Sequence, residues 1–409
     1  MPAPPARLHS LDVLRGLAAY GIVFWHWQFF VSDGPFAPER QPLFDVLFLF
    51  YKRGALAVDF FFCLSGFVFH WLYARQVSEG AISARSFAVL RLSRLYPLHL
   101  ATLLAVAAGQ AVHRMQTGHA YVYYWNDAWH FALNALFASS WGLERGLSFN
   151  GPAWSVSVEI ALYAAFFALC RLSPPRFLHL LAGAVIGFFV LLDVHGPLGR
   201  GVGAFFTGGI AWLAYDRLRV RPDVRHLTRV LVTVSCALWA AAAVAVRAGW
   251  TDDVAAESLL LDRLLIVWPS LLLFPLTVLT SALAETVRGT LGRRFSVLGD
   301  LSYATYMLHF PLMLLLVNAV LLAGADITAL QGPWMLGTFL LLLTVTSLLA
   351  RRCFELPLQR RLRAAWLRPA PPVTRPRPSP GGPYRRGTEV EASAASLSEA
   401  PPPVQGQAR

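Results

Sequence analysis

Arg15 and His26 stand eleven residues apart inside one apolar run, LDVLRGLAAYGIVFWHWQFF. On a helix, eleven steps of about 100° come within about 20° of whole turns, so both groups share a stripe, about 16 Å apart along the axis. Two other apolar runs carry a carboxylate, Asp59 in RGALAVDFFFCLSGF and Glu159 in GPAWSVSVEIALY. An imidazole oriented by a carboxylate is a general base for a hydroxyl, because the anion favours the protonated ring. His309 is a second imidazole inside a later run, where Tyr303 or Tyr306 could instead satisfy it. Arg91 and Arg94, three apart in RLSRLYPLHL, share a helix face. Guanidinium groups so placed suit phosphate oxygens through paired hydrogen bonds.

The elements that must position these groups are membrane spans. Hydrophobic residues make up 56% of the 409 and charged residues only 14%, against roughly 25% charged in a soluble domain. Runs of about twenty apolar residues predict an all-α polytopic bundle of about ten transmembrane helices, near 11–31, 54–74, 88–110, 152–171, 177–194, 198–216, 228–248, 259–283, 297–323 and 333–352. A stretch near 129–141 is too short to span and reads as interfacial or re-entrant. Arginines gather in alternate loops, with Arg75, Arg85 and Arg91 in one and Arg217, Arg219, Arg221, Arg225 and Arg229 in another, which predicts both termini in the cytoplasm. Arg15 then lies deep on the inner side, while His26, Asp59 and Glu159 occupy the outer third. A charge at such depth is a functional hypothesis by default, and the first span is expected to be retained rather than cleaved and to line a polar cavity.

Composition also excludes function classes. The net charge of +12 falls in short loops and the tail, where it sets topology, so nucleic acid is not an expected partner. Lys52 is the only lysine, which rules out a GxxxxGK[ST] phosphate loop and an ATP-driven pump of that type. Cys63, Cys170, Cys236 and Cys353 give neither a disulfide framework nor zinc spacing, and no metal is expected. The chain is expected to divide into a membrane domain over 1–366 and a disordered Pro/Arg/Ser-rich cytoplasmic tail over 367–409.

The residues in this order resemble the acyltransferase-3 family of integral membrane O-acyltransferases. The resemblance runs from about residue 8 to 360 through LDVLRGLAAYGIVFWHW, with Arg15 and His26 at the family's separation; FFFCLSGF; RLSRLYP; WSVSVE, ending at Glu159; LGDLSYATYMLHFP, with His309; and FELP, with Glu355. It implies about ten transmembrane helices in a bacterial inner membrane. It also implies transfer of an acyl group, commonly acetyl, from cytoplasmic acyl-CoA to a sugar hydroxyl of a surface polysaccharide or glycolipid. Some members add a hydrolase-like domain; with no GxSxG turn, that version is not expected here.

Arg15, Arg91 and Arg94 are then expected to hold the CoA phosphates and pantetheine arm, Asp12 to pair with Arg15, and His26 to deprotonate the acceptor, oriented by Glu159 or Asp59. His309 stands as a further catalytic candidate. Ser65 and Gly66 read as close helix packing, and Glu355 as structural. A proton-coupled transporter or flippase, which also buries His, Asp and Glu, is the alternative from a different class. A ping-pong enzyme that parks the acyl group on His26 or a serine is the chemical variant.

Overall fold

The structure is a computed structural model and describes residues 7–30, 36–330 and 332–367. The expected disordered tail lies outside the described residues, apart from Leu367. Among the described residues the fold is all-α, without strands. In chain order the helices are α1 (His9–Trp27), α2 (Phe44–Arg53), α3 (Ala57–Ser78), α4 (Ala84–Thr117), α5 (Ala128–Ala135), α6 (Trp154–Leu172), α7 (Phe177–Asp193) and α8 (Gly196–Leu218). Then follow α9 (Val224–Arg247), α10 (Trp250–Glu257), α11 (Leu259–Trp268), α12 (Phe274–Arg288), α13 (Ser296–Leu322), α14 (Pro333–Leu349) and α15 (Leu356–Trp366).

Each of the ten apolar stretches read from the sequence falls on one of these helical rods, and seven rods are long and apolar enough to cross a membrane. The three that fall short have physical reasons. α1 carries Asp12 and Arg15, α8 carries Arg200 among its glycines, and α7 is only 17 residues long. Three α-helical pieces lie outside the stretches read from the sequence: α2, the eight-residue α10 and α15. α2 is a 10-residue amphipathic helix with Asp45, Lys52 and Arg53 that runs on through the turn Gly54–Leu56 into α3, the two forming one helical rod over Phe44–Ser78. α15 continues α14 through a π-helical turn at Ala350–Glu355.

Close glycine contacts set the packing around the site. A methyl group on Gly66 of α3 would lie 1.9 Å from the carbonyl oxygen of Phe205 on α8, and one on Gly208 would lie 2.0 Å from that of Cys63. A methyl on Gly16 of α1 would meet Leu298 Cβ at 2.4 Å, and one on Gly299 of α13 would meet the Asp12 carbonyl oxygen at 2.3 Å. Small residues allow such backbone approach between helices in lipid. Along these seams α1 runs parallel to α13 and α3 parallel to α8.

α1 begins without a cap of its own, its N-cap position being Leu8. Glu285 of α12 supplies one: its carboxylate accepts the backbone N–H of His9 at 2.9 Å and of Ser10 at 2.8 Å, and the Ser10 hydroxyl at 2.7 Å. A buried carboxylate at a helix N-terminus satisfies free N–H groups and meets the positive end of the dipole.

Candidate active site

Pro311 interrupts α13 and has no N–H to give the carbonyl of Met307 four residues back. Asn150, buried in the loop before α6, donates its side-chain amide to that oxygen at 3.0 Å. The break lies beside His309, which is fully buried.

Hydrogen bonding assigns the tautomers of the two histidines. His309 Nδ1 is 2.6 Å from the carbonyl oxygen of Tyr306; a carbonyl only accepts, so Nδ1 carries the hydrogen. In the neutral ring Nε2 then bears a lone pair, and it faces His26 Nδ1 at 3.2 Å. His26 Nδ1 is also 3.0 Å from the carbonyl oxygen of Ile22. Both contacts require a hydrogen on His26 Nδ1. The lone pair of His26 is therefore on Nε2, which makes no hydrogen bond with the described residues. Trp25 and Phe29 flank the ring, with centroids 5.6 and 5.8 Å away.

From the histidines a polar column runs between the helices. Tyr306, one turn before His309, donates its hydroxyl to the carbonyl oxygen of Pro152 and accepts from Ser155 Oγ at 2.8 Å. One turn along α6 from Ser155 stands Glu159, whose Oε1 accepts from Ser65 Oγ at 3.2 Å and from the Tyr163 hydroxyl. Tyr163 stacks on Phe69, centroids 4.5 Å apart, and both rings border Arg91.

The arginines collect at the opposite end. Arg15 pairs with Asp12 at 2.8 Å, as expected, and reaches the Gly299 carbonyl at 3.2 Å. Asp12 also holds Arg7, which pairs with Asp300, and Asp300 in turn holds Arg351. Arg91 hydrogen-bonds the Tyr73 hydroxyl and lies 4.5 Å from that ring and 4.8 Å from Phe69, a cation–π enclosure. Arg94 differs from all of these. It makes no hydrogen bond or ion pair among the described residues, yet it is within electrostatic range of Arg15, Arg351, Arg363 and Glu355.

Two expectations need correction. Neither Asp59 nor Glu159 touches His26; the group on its Nδ1 is His309. Asp59, itself buried, is engaged elsewhere, in a bidentate pair with the part-buried Arg200, with Nε to Oδ1 at 3.0 Å and Nη2 to Oδ2 at 2.5 Å. Arg200 also donates to the Ala55 carbonyl at 3.0 Å and lies over Trp154. Arg200 is a site residue absent from the sequence expectations, and the signal for it is an arginine in the apolar, glycine-rich start of a span, which needs a counter-ion. Asp59 was the unmatched carboxylate.

A family model described as an acyltransferase domain, Acyl_transf_3, matches residues 8–350. The chain belongs to the acyltransferase-3 family. Among its curated relatives, Protein 2 in picA locus of Rhizobium radiobacter is 37% identical over 106 residues, 26% of this chain and 47% of that protein. Acyltransferase MdmB of Streptomyces mycarofaciens is 31% identical over 184 residues, 43% of each chain. The acyltransferase-3 chain thus spans less than half the length of either relative. No solved structure matches it.

Proposed function

We propose that this acyltransferase-3 protein is a membrane O-acyltransferase. It moves an acyl group, acetyl in the first instance, from cytoplasmic acyl-CoA to a sugar hydroxyl of a surface polysaccharide or glycolipid. The observation that carries this reading is the tautomer of His26, which keeps a free lone pair on Nε2 at the head of a polar column that ends in arginines.

In this mechanism the acceptor hydroxyl gives its proton to His26 Nε2 while its oxygen forms the new ester bond. The carbon–sulfur bond of the donor breaks, and the proton is returned to the leaving thiolate. His26 is charged in between. Its Nδ1–H, shared by His309 Nε2 and the Ile22 carbonyl, disperses that charge without a carboxylate. His309 is thus a positioning residue in place of Glu159 or Asp59. Glu159, whose Oε2 makes no hydrogen bond among the described residues, stays in the column as a group able to meet either substrate, and Asp59 holds Arg200 in place.

The donor end fits a phosphorylated carrier. A half-buried guanidinium that uses none of its donors on the protein, as in Arg94, is suited to phosphate oxygens, and Arg15 and Arg91 flank it. The same assignment gives the membrane domain over 1–366 both termini in the cytoplasm of a bacterial inner membrane. The test is mass spectrometry of surface glycans from cells with and without the chain, together with thioester cleavage by the purified protein. A glycan mass unchanged between the two strains, with no cleavage of acetyl-CoA, overturns the reading.

A further inference from the structure

The π-helical turn at Ala350–Glu355 brings Glu355 to the arginine end of the column. π-turns are rare in helices and concentrate at functional sites. Glu355 is only 9% exposed, and its buried Oε1 has no hydrogen-bond partner among the described residues. The charged and titratable groups within electrostatic reach of it are Arg94 of α4, Tyr303 of α13 and Arg351 of its own turn, with Asp300 beyond Arg351 and Arg363 beyond Arg94. Arg351 is held by Asp300, Arg363 donates to Ser93 Oγ at 3.3 Å, and Tyr303 donates to the Leu95 carbonyl at 2.6 Å.

Two groups are thus left without a hydrogen bond among the described residues: the Glu355 carboxylate, whose Oε1 is also buried, and the guanidinium of Arg94. They lie within electrostatic range without a hydrogen bond between them. Oppositely charged groups that stay apart in a polar interior leave a place for something between them, and beside Arg94 that something is an anion.

We propose that Glu355 is the proton-linked counter-ion of the donor's phosphate site. With the site free, the carboxylate balances Arg94 and Arg351. When a donor phosphate lies on those guanidiniums, two anions share one low-dielectric site, and the like charge favours protonation of the carboxylate. Glu355 then takes one proton from solvent, and its carboxyl O–H donates to a phosphate oxygen. This rests on the donor reading above and adds to it a proton taken up on binding.

The test is calorimetric titration of coenzyme A into the detergent-purified full chain in mildly alkaline buffer, about pH 8.5, where the ligand phosphate is fully ionised, in two buffers of different ionisation enthalpy. The wild type takes up one proton per coenzyme A bound, and its Kd rises about tenfold per pH unit while free Glu355 is ionised. Glu355→Gln binds with no proton uptake and a flat pH dependence. Loss of a proton from the ligand phosphate would have the opposite sign, so the wild-type count is decisive even where the variant does not fold. Binding without uptake, or the same uptake in Glu355→Gln, removes Glu355 from this role and leaves the donor reading intact. No binding of coenzyme A removes both.

Discussion

His309 Nε2 sits 3.2 Å from His26 Nδ1, one imidazole accepting from another where a hydrolytic triad would place a carboxylate. A neutral partner stabilises the imidazolium less than an anion does, and its hold on Nδ1–H leaves the Nε2 lone pair for the acceptor hydroxyl.

Substituting His26→Ala is expected to lower acceptor acylation by about 10² to 10⁴, the usual contribution of a general base. His309→Ala is expected to cost about ten to a hundredfold, comparable with removing the partner of a working histidine. His309→Gln restores part of the loss, since its carbonyl oxygen can accept where Nε2 did. Acylation measured at matched protein abundance checks all three, and full activity in His26→Ala would end the proposed mechanism.

Breaking the Asp59–Arg200 pair is expected to unfold rather than inactivate. Removing one partner of a buried pair strands a charge at about 3 to 5 kcal/mol. Asp59→Asn and Arg200→Ala should each lower the melting temperature in detergent, and an apolar replacement of both should recover most of it. A melting temperature unmoved by Asp59→Asn would show that the pair holds nothing.

Glycine positions give opposite outcomes in the same molecule. Gly66→Ala drives a methyl into the Phe205 carbonyl and is expected to cost about 1 to 3 kcal/mol or prevent folding. On α14 a methyl at Gly337 meets nothing within 4 Å, so Gly337→Ala is expected to be neutral or to gain about 0.5 to 1 kcal/mol through helix propensity. Thermal unfolding of the two variants side by side decides the matter.

Outside the spans, Asp127 caps α5. Its Oδ1 accepts the His130 backbone N–H at 2.9 Å and contacts the His130 ring nitrogen Nδ1 at 2.8 Å. The backbone bond first, then the ring, holds this carboxyl below the usual aspartate range. A depressed folded value means the contribution is fully present above the ordinary aspartate pKa and is lost as pH falls through the lower one. Hydrogen-exchange protection of the His130 amide should therefore persist into acid below pH 3.8 before it fades. Early loss, at or above that pH, would contradict the assignment.

Much of this architecture is legible in the chain. Apolar length marks the seven rods able to cross a membrane and places three further helices that fall short of it, and the i, i+3 spacing of Asp12 and Arg15 gives their pairing. Gly66 read correctly as a packing residue, because a glycine in an apolar run has little else to offer. Long-range partners were not legible. Nothing local says that Asp59 meets Arg200, 141 residues away, or that His309 rather than Glu159 reaches His26. Such choices depend on which helices are neighbours, and hydropathy is silent on that. The π-turn at Ala350–Glu355 was equally hidden, since its residues differ little in type from an ordinary span end.

The carboxylate clamp of Glu285 on the base of α1 turns that helix into a ruler. From Ser10 to His26 the rod rises about 24 Å, and its foot is tied to α12 and, through Gly16 and Gly299, to α13. The height of the reacting nitrogen is therefore graduated from the arginine end of the molecule. One residue added between foot and tip would lift the ring by about 1.5 Å and swing it by about 100°, away from its partner, while leaving every other helix where it stands.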